Sequence, residues 1–420
     1  MREEARWREK GLKTQERTQK LKKQRMKFNF DQSPDRRGTE SVKWDLYPGT
    51  LPLWVADMDF KVAPAIQQAL QRRLEHGVFG YELVPDSYYE ATGRWFAKRH
   101  GWDGINKTNL IPTTGVIAAY SAAIKATTKP GDKVLVMTPC YNAFFPAIEH
   151  NNCEQLDCPL IYNDKQYIID WDLLEQKAAQ AKVLLLCNPH NPVGRVWTRE
   201  ELLLIAGICQ RNNVFVISDE IHCELTYPGH DYTPWATLPE EYVTNSVSCI
   251  SPTKAFNIAG IQVANLFAAN PQVHKKMLEA LHKNQCADIN VFGATALKAA
   301  YNEGEEWLDQ LRDYLFHNAR TVACFLEDEL QEVNVLPLEG TYLMWIDCRK
   351  ALKPNEPLEG FSERFSKHLQ ETVQLTLSPG SIYGKAGEGF MRVNIACPRS
   401  RLLDGMQRFI VGFESYKNNA

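Results

Sequence analysis

The chain has 420 residues, of which 44% are hydrophobic and 24% are charged. This length suits a two-domain globular protein, and the composition excludes disorder over most of the chain, because enough apolar surface is present to offset the entropy of ordering. No run of about 20 uncharged apolar residues occurs, which excludes a transmembrane helix. No cleaved secretion signal is evident either.

The 11 cysteines lie between Cys140 and Cys397 without any C-x-x-C pair or zinc-finger spacing. Several of them fall in apolar runs, which is typical of buried free thiols. We therefore expect reduced cysteines, no metal site and a cytoplasmic location.

The N-terminal segment differs in charge from the rest of the chain. Residues 1–25 carry a net charge of +6, and the remainder carries −9. This segment has almost no aliphatic residues, so it cannot anchor a core. It is either a basic arm for nucleic acid or a membrane, or a disordered extension before a true start at Met26. We predict the disordered extension, and we expect neither a membrane nor a nucleic acid as partner.

In chain order, the first periodic elements are helices. Apolar residues at helical spacing predict one helix after Pro64 and another over Ser87–His100. Short apolar strands then alternate with a further helix. The strands are predicted at Val134–Met137, Val183–Cys187, Val214–Ser218 and Val247–Ile250, and the helix at Arg199–Arg211. Because these strands are apolar on both faces, they indicate a mostly parallel sheet covered by helices, as in doubly wound α/β domains.

The pattern changes after about residue 305, where a smaller α+β domain is predicted. Its elements are a long amphipathic helix at Glu305–Leu330, strands at Tyr342–Asp347, Val373–Leu377 and Met391–Asn394, and a final helix at Arg401–Phe413.

Three polar positions follow predicted strands. Lys254 lies beside the hydroxyls of Ser251 and Thr253, a spacing that can bind a phosphate next to a reactive amine. Asp219 ends a strand where α/β proteins bind ligands, although a helix cap would explain it too. Asn191 lies in NPHNP, whose two Asn–Pro pairs require extended or turn backbone, with a cis bond as one option. Each feature alone has an ordinary structural explanation.

Together with further motifs, these positions form an ordered pattern. The motifs are LWVADMDF (53–60), GVFGY (77–81), NPHNPVGRVW (188–197), SDEIH (218–222) and MRVNIACPR (391–399). From about Met26 onward the chain resembles the fold-type I pyridoxal 5′-phosphate (PLP) enzymes of aminotransferase class I/II. Within them it resembles the MalY/PatB branch of cystathionine β-lyases, also called C–S lyases.

The resemblance implies an α/β fold like that of aspartate aminotransferase, the PLP-dependent transferase fold. A large domain with a mostly parallel sheet would be joined to a smaller α+β domain. We place the boundaries at 1–25 for the basic extension, 26–65 for an N-terminal segment joining the small domain, 66–304 for the large PLP-binding domain and 305–420 for the small C-terminal domain.

The resemblance also implies roles around the cofactor ring. Lys254 would bind PLP covalently and act as the general base, and Asp219 would pair with the ring nitrogen. Asn191 would donate to the phenolate oxygen. His222 occupies the place where many aminotransferases have a tyrosine. That departure matches the β-lyase branch, although His222 could equally be a packed histidine.

A phosphate site is implied as well. Gly115 and Val116 would begin a helix whose amides hold the phosphate, because a helix N-terminus favours an anion. Ser251 and Thr253 would complete this site. Many aminotransferases have an arginine eight residues after the lysine, and Gln262 stands there in this chain.

Three further residues receive roles from the resemblance. Tyr141 would stack on the ring and is a candidate for protonating a leaving sulfur, although an ordinary loop aromatic is the alternative. Arg392 would bind the substrate carboxylate, or else form a surface ion pair. Tyr81 would reach the phosphate of a neighbouring subunit, which would require a homodimer.

The implied reaction is an α,β-elimination. L-Cystathionine or a related cysteine S-conjugate would yield a thiol (homocysteine), pyruvate and ammonia, as in methionine biosynthesis. A PLP-dependent aminotransferase would use the same residues and remains the alternative. A regulatory protein that binds a transcription factor is a third possibility, suggested by residues 1–25. The motifs do not determine which sulfur amino acid is preferred.

Overall fold

The computed structural model of the chain describes residues 28–418. The basic extension and its predicted disorder therefore lie outside the described residues. In chain order the strands are β1 Leu51–Pro52, β2 Leu110–Thr113, β3 Lys133–Val136, β4 Glu154–Asp157, β5 Ile161–Tyr162, β6 Tyr167–Ile168, β7 Val183–Cys187, β8 Phe215–Asp219, β9 Ser246–Ile250, β10 Ala264–Phe267, β11 Asn334–Val335, β12 Leu343–Asp347, β13 Leu375–Thr376, β14 Ser378–Pro379 and β15 Phe390–Asn394.

The α-helices surround these strands. They are α1 Val42–Asp45, α2 Pro64–His76, α3 Asp86–His100, α4 Val116–Thr127, α5 Phe144–His150, α6 Trp171–Ala178, α7 Arg199–Arg211, α8 Glu240–Val243, α9 Pro271–Lys283, α10 Val291–Glu303, α11 Glu305–Glu329, α12 Phe361–Val373 and α13 Arg399–Asn418. Within residues 28–418, no helix is both long enough and apolar enough to cross a membrane.

A seven-stranded sheet forms the centre of the first part of the chain, in the order β2-β10-β9-β8-β7-β3-β4. In this sheet the adjacent strands β4, β3, β7, β8 and β9 run parallel to one another, and β10 runs antiparallel to both of its neighbours. Every residue of β7, β8 and β9 is buried, which explains why these strands lack polar alternation. The predicted mostly parallel sheet is confirmed.

The register of the central strands aligns their carboxyl ends. Cys187 at the end of β7 lies opposite Asp219 at the end of β8, and Asp219 lies opposite Cys249 of β9. The loops that follow these strands therefore meet at one edge of the sheet. This edge is where the residues singled out in the sequence come together.

A second sheet, with the order β11-β12-β15-β14, is antiparallel throughout. The N-terminal segment attaches beside it, because β1 pairs in parallel with β13, Leu51 opposite Leu375. The strand predicted at Val373–Leu377 begins too early. Val373 ends α12, and Gln374 adopts a left-handed conformation with φ 51° before the two-residue strand β13.

The long helix predicted at Glu305–Leu330 is recovered as α11. The last helix, predicted at Arg401–Phe413, spans Arg399–Asn418 and is longer at both ends. For helix α4, only the start at Gly115 and Val116 was predicted, and not its length. Its sequence VIAAYSAAIKAT is apolar on nearly all sides, and six of its residues are buried. A helix that packs on several sides carries no polar face, so its sequence shows no amphipathic period.

Candidate active site

A cavity of about 360 Å³ lies at the carboxyl edge of the parallel strands. Eight of the residues singled out in the sequence line it, namely Gly115, Val116, Tyr141, Asn191, Asp219, His222, Thr253 and Lys254. Ser251 lies directly behind Thr253, because their hydroxyl oxygens are 2.8 Å apart. Arg392 contacts the cavity residue Asn191. Tyr81 is the exception and lies outside the cavity.

The NPHNP loop places Asn191 just beyond the carboxyl end of β7. Both Asn–Pro bonds in this loop are cis. The Asn188 amide donates to the Thr233 carbonyl over 3.0 Å, which fixes the start of the loop. The Asn191 side-chain oxygen accepts from Arg392 over 3.2 Å. Its amide nitrogen has no hydrogen-bond partner among residues 28–418, so it is available to donate to a ligand in the cavity.

Asp219 is a buried carboxylate that contacts no charged side chain among residues 28–418. One of its oxygens accepts the Ile221 backbone N–H over 3.2 Å. Burial raises the pKa of Asp219 from 3.8 to about 7, while the charge of Lys254 acts weakly in the opposite direction. A cationic ring nitrogen in the cavity would supply the counter-charge that this carboxylate lacks.

Lys254 is positioned by a tight turn after β9. The Ser251 hydroxyl accepts the Thr253 backbone N–H over 3.1 Å and donates to the Val263 carbonyl over 2.7 Å. The Lys254 amine donates to the Ala56 carbonyl over 2.6 Å. Burial, together with the nearby charge of Arg392, lowers the pKa of Lys254 to about 8. The amine is therefore partly unprotonated near neutral pH.

The N-terminus of α4 opens into the same cavity. Gly115 precedes the helix, and no side chain caps it. A Cβ atom built on Gly115 would meet no atom within 4 Å, so this position borders open space. Val116 and its two successors also line the cavity, and the Thr253 hydroxyl lies nearby. Free backbone amides at a helix N-terminus, next to a hydroxyl, form a site for a phosphate group.

Two further polar atoms in the cavity have no partner among the described residues. They are Nδ1 of His222 and the hydroxyl of Tyr120. Burial holds the pKa of His222 well below its usual range, so the imidazole is neutral at physiological pH. Tyr120 was not predicted from the sequence, because its place in the apolar helix α4 looks like an ordinary core position. Buried polar groups without partners are rare, and here they point into a ligand site.

Tyr141 lines the cavity and lies in the chain after the loop that follows β3. Its ring packs edge-on against Phe144, with 5.7 Å between the ring centroids. Burial raises the pKa of Tyr141 to about 12, so its hydroxyl keeps its proton at neutral pH. The ring is therefore placed to cover a bound aromatic ring while the hydroxyl remains a donor.

Arg392 is buried on β15 and has no carboxylate partner in the described part of the chain. Its guanidinium donates to the Trp54 carbonyl over 2.8 Å and lies 4.8 Å from the ring centroid of Tyr383. Its Nε atom has no partner. The prediction of a surface ion pair is thereby excluded. A buried guanidinium without a counter-ion is a binding group for a carboxylate ligand.

Tyr81 lies in the exposed segment between α2 and α3. Its side chain is fully exposed, and Phe79 and Leu83 in the same segment are also exposed. Within one chain, Tyr81 therefore contributes nothing to the cavity.

These residues fit PLP on three independent observations. The carboxylate of Asp219 lacks a counter-charge where a ring nitrogen would lie. The uncapped helix α4 and the Thr253 hydroxyl provide a place for the phosphate. The Lys254 amine, with its lowered pKa, lies in the same cavity. The donor set therefore suits the cofactor.

Comparison with known proteins identifies the family of the chain. Residues 51–409 match the family described as aminotransferase class I and II, and the chain belongs to this family. It is 40% identical over 390 residues to cystathionine beta-lyase PatB of Bacillus subtilis, which covers 91% of this chain and 98% of PatB. It is 35% identical over 393 residues to protein MalY of Escherichia coli, with 91% and 98% covered.

A solved structure supports the fold as well. The PLP-bound C–S lyase from Staphylococcus hominis superimposes with a TM-score of 0.84 at 30% identity, and the match covers 92% of this chain and 98% of that one. The predicted PLP-dependent transferase fold and the resemblance to the MalY/PatB branch are thereby confirmed.

Proposed function

We propose that the protein is a PLP-dependent carbon–sulfur β-lyase. It cleaves L-cystathionine, or a related cysteine S-conjugate, to a thiol (homocysteine), pyruvate and ammonia. The observation that carries this proposal is the cavity that joins the Lys254 amine and the Asp219 carboxylate, next to the Arg392 guanidinium, which bonds to the cavity residue Asn191 and has no carboxylate partner among residues 28–418. The relatives named as a cystathionine β-lyase and a C–S lyase support the choice of reaction.

The cofactor is held at several points. Lys254 would bind it covalently, and Asp219 would pair with its ring nitrogen, whose opposite charge would keep the carboxylate ionised. The free amide of Asn191 and the neutral imidazole of His222 lie beside these two groups. Tyr141 covers the ring.

The residues at the start of α4 would hold the cofactor's phosphate. The backbone amides of Gly115 and Val116 and the hydroxyl of Thr253 would donate to it, while Ser251 holds Thr253 in place. Gln262 also lines this end of the cavity, in a left-handed conformation with φ 55°.

The chain's own residues then carry the proton transfers. Bound PLP supplies an electron sink for the electrons left on the substrate Cα. Lys254 Nζ removes the Cα proton, which its pKa of about 8 allows near neutral pH. The Cβ–S bond breaks with its electron pair on sulfur, and the Tyr141 hydroxyl donates a proton to that sulfur. Released aminoacrylate is hydrolysed to pyruvate and ammonia.

Arg392 fixes the substrate before this step. Its planar guanidinium pairs with the substrate carboxylate through two parallel hydrogen bonds. The Trp54 carbonyl and the Asn191 amide oxygen hold the guanidinium in position. The substrate Cα is thereby oriented towards Lys254.

Two wider statements belong to the same proposal. The active form is a homodimer, in which Tyr81 reaches the phosphate site of the neighbouring subunit. The exposed aromatic segment around Tyr81 supports this arrangement.

The large domain spans 66–304, and the N-terminal segment 26–65 joins the small domain at 305–420. The enzyme is cytoplasmic and serves methionine biosynthesis.

A pair of substrates tests the reaction. L-Cystathionine and L-alanine share the same Cα chemistry, but alanine has no leaving group on Cβ. We expect PLP-loaded enzyme to release pyruvate and thiol from cystathionine and nothing from alanine. Pyruvate from alanine, with no thiol from cystathionine, would instead identify an aminotransferase.

A further inference from the structure

Two side chains of β15 hold the segment that precedes Asp57. The Arg392 guanidinium donates to the Trp54 carbonyl over 2.8 Å. The Asn394 amide donates to the Val55 carbonyl over 2.5 Å and to the Asp57 carbonyl over 2.6 Å. Three of the four carbonyls from residue 54 to residue 57 are thus bound by β15.

The carbonyl of Ala56 is the one that β15 leaves free. The Asp57 backbone N–H donates to the Val55 carbonyl over 2.9 Å, which closes a tight turn around Ala56. The Ala56 oxygen points instead to the cavity, where it accepts from the Lys254 amine over 2.6 Å and from the Tyr342 hydroxyl over 2.8 Å. Tyr342 is only 1% exposed.

On the basis of the function above, we propose that Tyr342 and Asn394 are positioning residues that hold the Ala56 carbonyl as the binding point of the free Lys254 amine. During each turnover the substrate takes the place of Lys254 on the cofactor, so the amine needs a fixed position from which to act as a base. The Ala56 carbonyl provides this position, because the neighbouring carbonyls are held by hydrogen bonds from β15. The Tyr342 hydroxyl occupies its second acceptor site.

The pKa of Lys254 reports on its contact with the Ala56 carbonyl. Arg392 on β15 disfavours the charged amine, whereas Asp57 and Asp219 favour it. The neutral His222 faces it from the loop after β8. A hydrogen bond from the amine to a carbonyl also favours the charged form. Loosening the Ala56 carbonyl therefore lowers the pKa of Lys254.

The test uses cofactor-free protein and potassium cyanate, a small reagent that carbamylates only the unprotonated amine. The labelled Lys254 peptide is quantified by mass spectrometry from about pH 6 to about pH 10. In Tyr342→Phe we expect the pKa of Lys254 to fall by about half a unit, which raises the labelling rate at pH 7 about 2.5-fold. Asn394→Ala shifts it in the same direction and replaces Tyr342→Phe if that variant does not fold.

Tyr227→Phe is the matched control. Tyr227 is another buried tyrosine whose hydroxyl donates to a backbone carbonyl, that of Thr341, over 2.6 Å. This control leaves the labelling profile and the activity unchanged. An unchanged or raised pKa of Lys254 in Tyr342→Phe would overturn the proposal.

Activity gives a second readout. In the loaded enzyme, Tyr342→Phe lowers kcat for cystathionine about 5-fold and changes KM less than about 2-fold, because Arg392 still binds the substrate. Equal changes in both constants would indicate a general structural role. Failure of the proposed function would look different: the loaded wild-type enzyme would release no thiol or pyruvate from cystathionine, whereas the cyanate titration requires no cofactor and would be unaffected.

Discussion

The guanidinium of Arg392 donates to the side-chain oxygen of Asn191 over 3.2 Å, although the two residues are 201 positions apart in the chain. Arg392 lies on β15 of the second sheet, and Asn191 follows β7 of the first. This contact turns the Asn191 amide nitrogen away from Arg392 and leaves it free for the cofactor. The group proposed to bind the substrate and a group proposed to bind the cofactor therefore fix each other's orientation.

Arg392→Lys tests this arrangement. Lysine keeps the positive charge but cannot form two parallel hydrogen bonds to a carboxylate, so we expect kcat/KM for cystathionine to fall about 10²-fold, mainly through KM. Steady-state kinetics measures the change. Arg399→Lys serves as the control, because Arg399 bonds to Asn318 outside the cavity. A KM that stays at the wild-type value would show that Arg392 does not bind the substrate.

Asp219→Asn should have opposite effects on stability and activity. Asparagine is isosteric but cannot hold the ring nitrogen protonated, so we expect kcat to fall by about 10³-fold or more. In the cofactor-free protein, however, the variant should be more stable than wild type at pH 8. Thermal unfolding of the two proteins without PLP measures this difference.

The sign follows from the raised pKa of Asp219. The unfolded carboxyl titrates near 3.8 and the buried one near 7. Keeping the Asp219 carboxyl buried lowers the free energy of unfolding through its ionisation, an effect that is absent below pH 3.8 and grows as pH rises towards 7. Above pH 7 this loss is constant at up to about 4 kcal/mol. The gain in stability from Asp219→Asn must therefore be larger at pH 8 than at pH 5. The exposed Asp172→Asn should show no such trend, and a gain independent of pH would contradict the assignment.

Tyr141→Phe separates two roles of one side chain. The phenylalanine ring can still stack, but the proton donor is lost. We expect kcat for cystathionine, whose leaving thiolate is strongly basic, to fall about 10-fold or more. A cysteine S-conjugate with an acidic aryl thiol needs no donor and should react at nearly the wild-type rate. If both substrates slow equally, Tyr141 does not protonate the leaving sulfur.

Mixed dimers test the role of Tyr81. Tyr81→Ala and Lys254→Ala are each expected to be nearly inactive alone. In a heterodimer, one site combines an intact Lys254 with an intact Tyr81 from the other chain. Random mixing after unfolding and refolding should therefore recover about a quarter of wild-type activity. No recovery, although heterodimers form, would mean that Tyr81 acts within its own chain, and full activity of Tyr81→Ala alone would mean that it has no role.

Much of the fold was predictable because its strands have a clear sequence pattern. The fully buried strands β7, β8 and β9 have uninterrupted apolar stretches, and their ends indicated where polar residues would meet. Strand β10 was not predicted, because the buried residue Asn265 interrupts its apolar run; the side-chain oxygen of Asn265 accepts from the Tyr88 hydroxyl over 2.8 Å. A buried polar residue whose bonding partner is distant in the chain gives no signal in its own segment.

The site was predictable to the extent that it depends on side chains in motifs. Lys254, Asp219 and Asn191 each follow a strand, and the structure brings them into one cavity. The Ala56 carbonyl could not be foreseen, because a backbone acceptor leaves no trace in residue type. Tyr342 looks like a core residue until its hydroxyl is seen on that carbonyl.

The most direct test of the proposed function is the product balance of PLP-loaded enzyme with L-cystathionine. Pyruvate, ammonia and homocysteine are quantified together, and Lys254→Ala is run alongside. We predict the three products in equal amounts over many turnovers, with none from Lys254→Ala. A single turnover that yields a 2-oxo acid of the intact substrate, without homocysteine, would contradict the β-lyase and establish amino-group transfer instead.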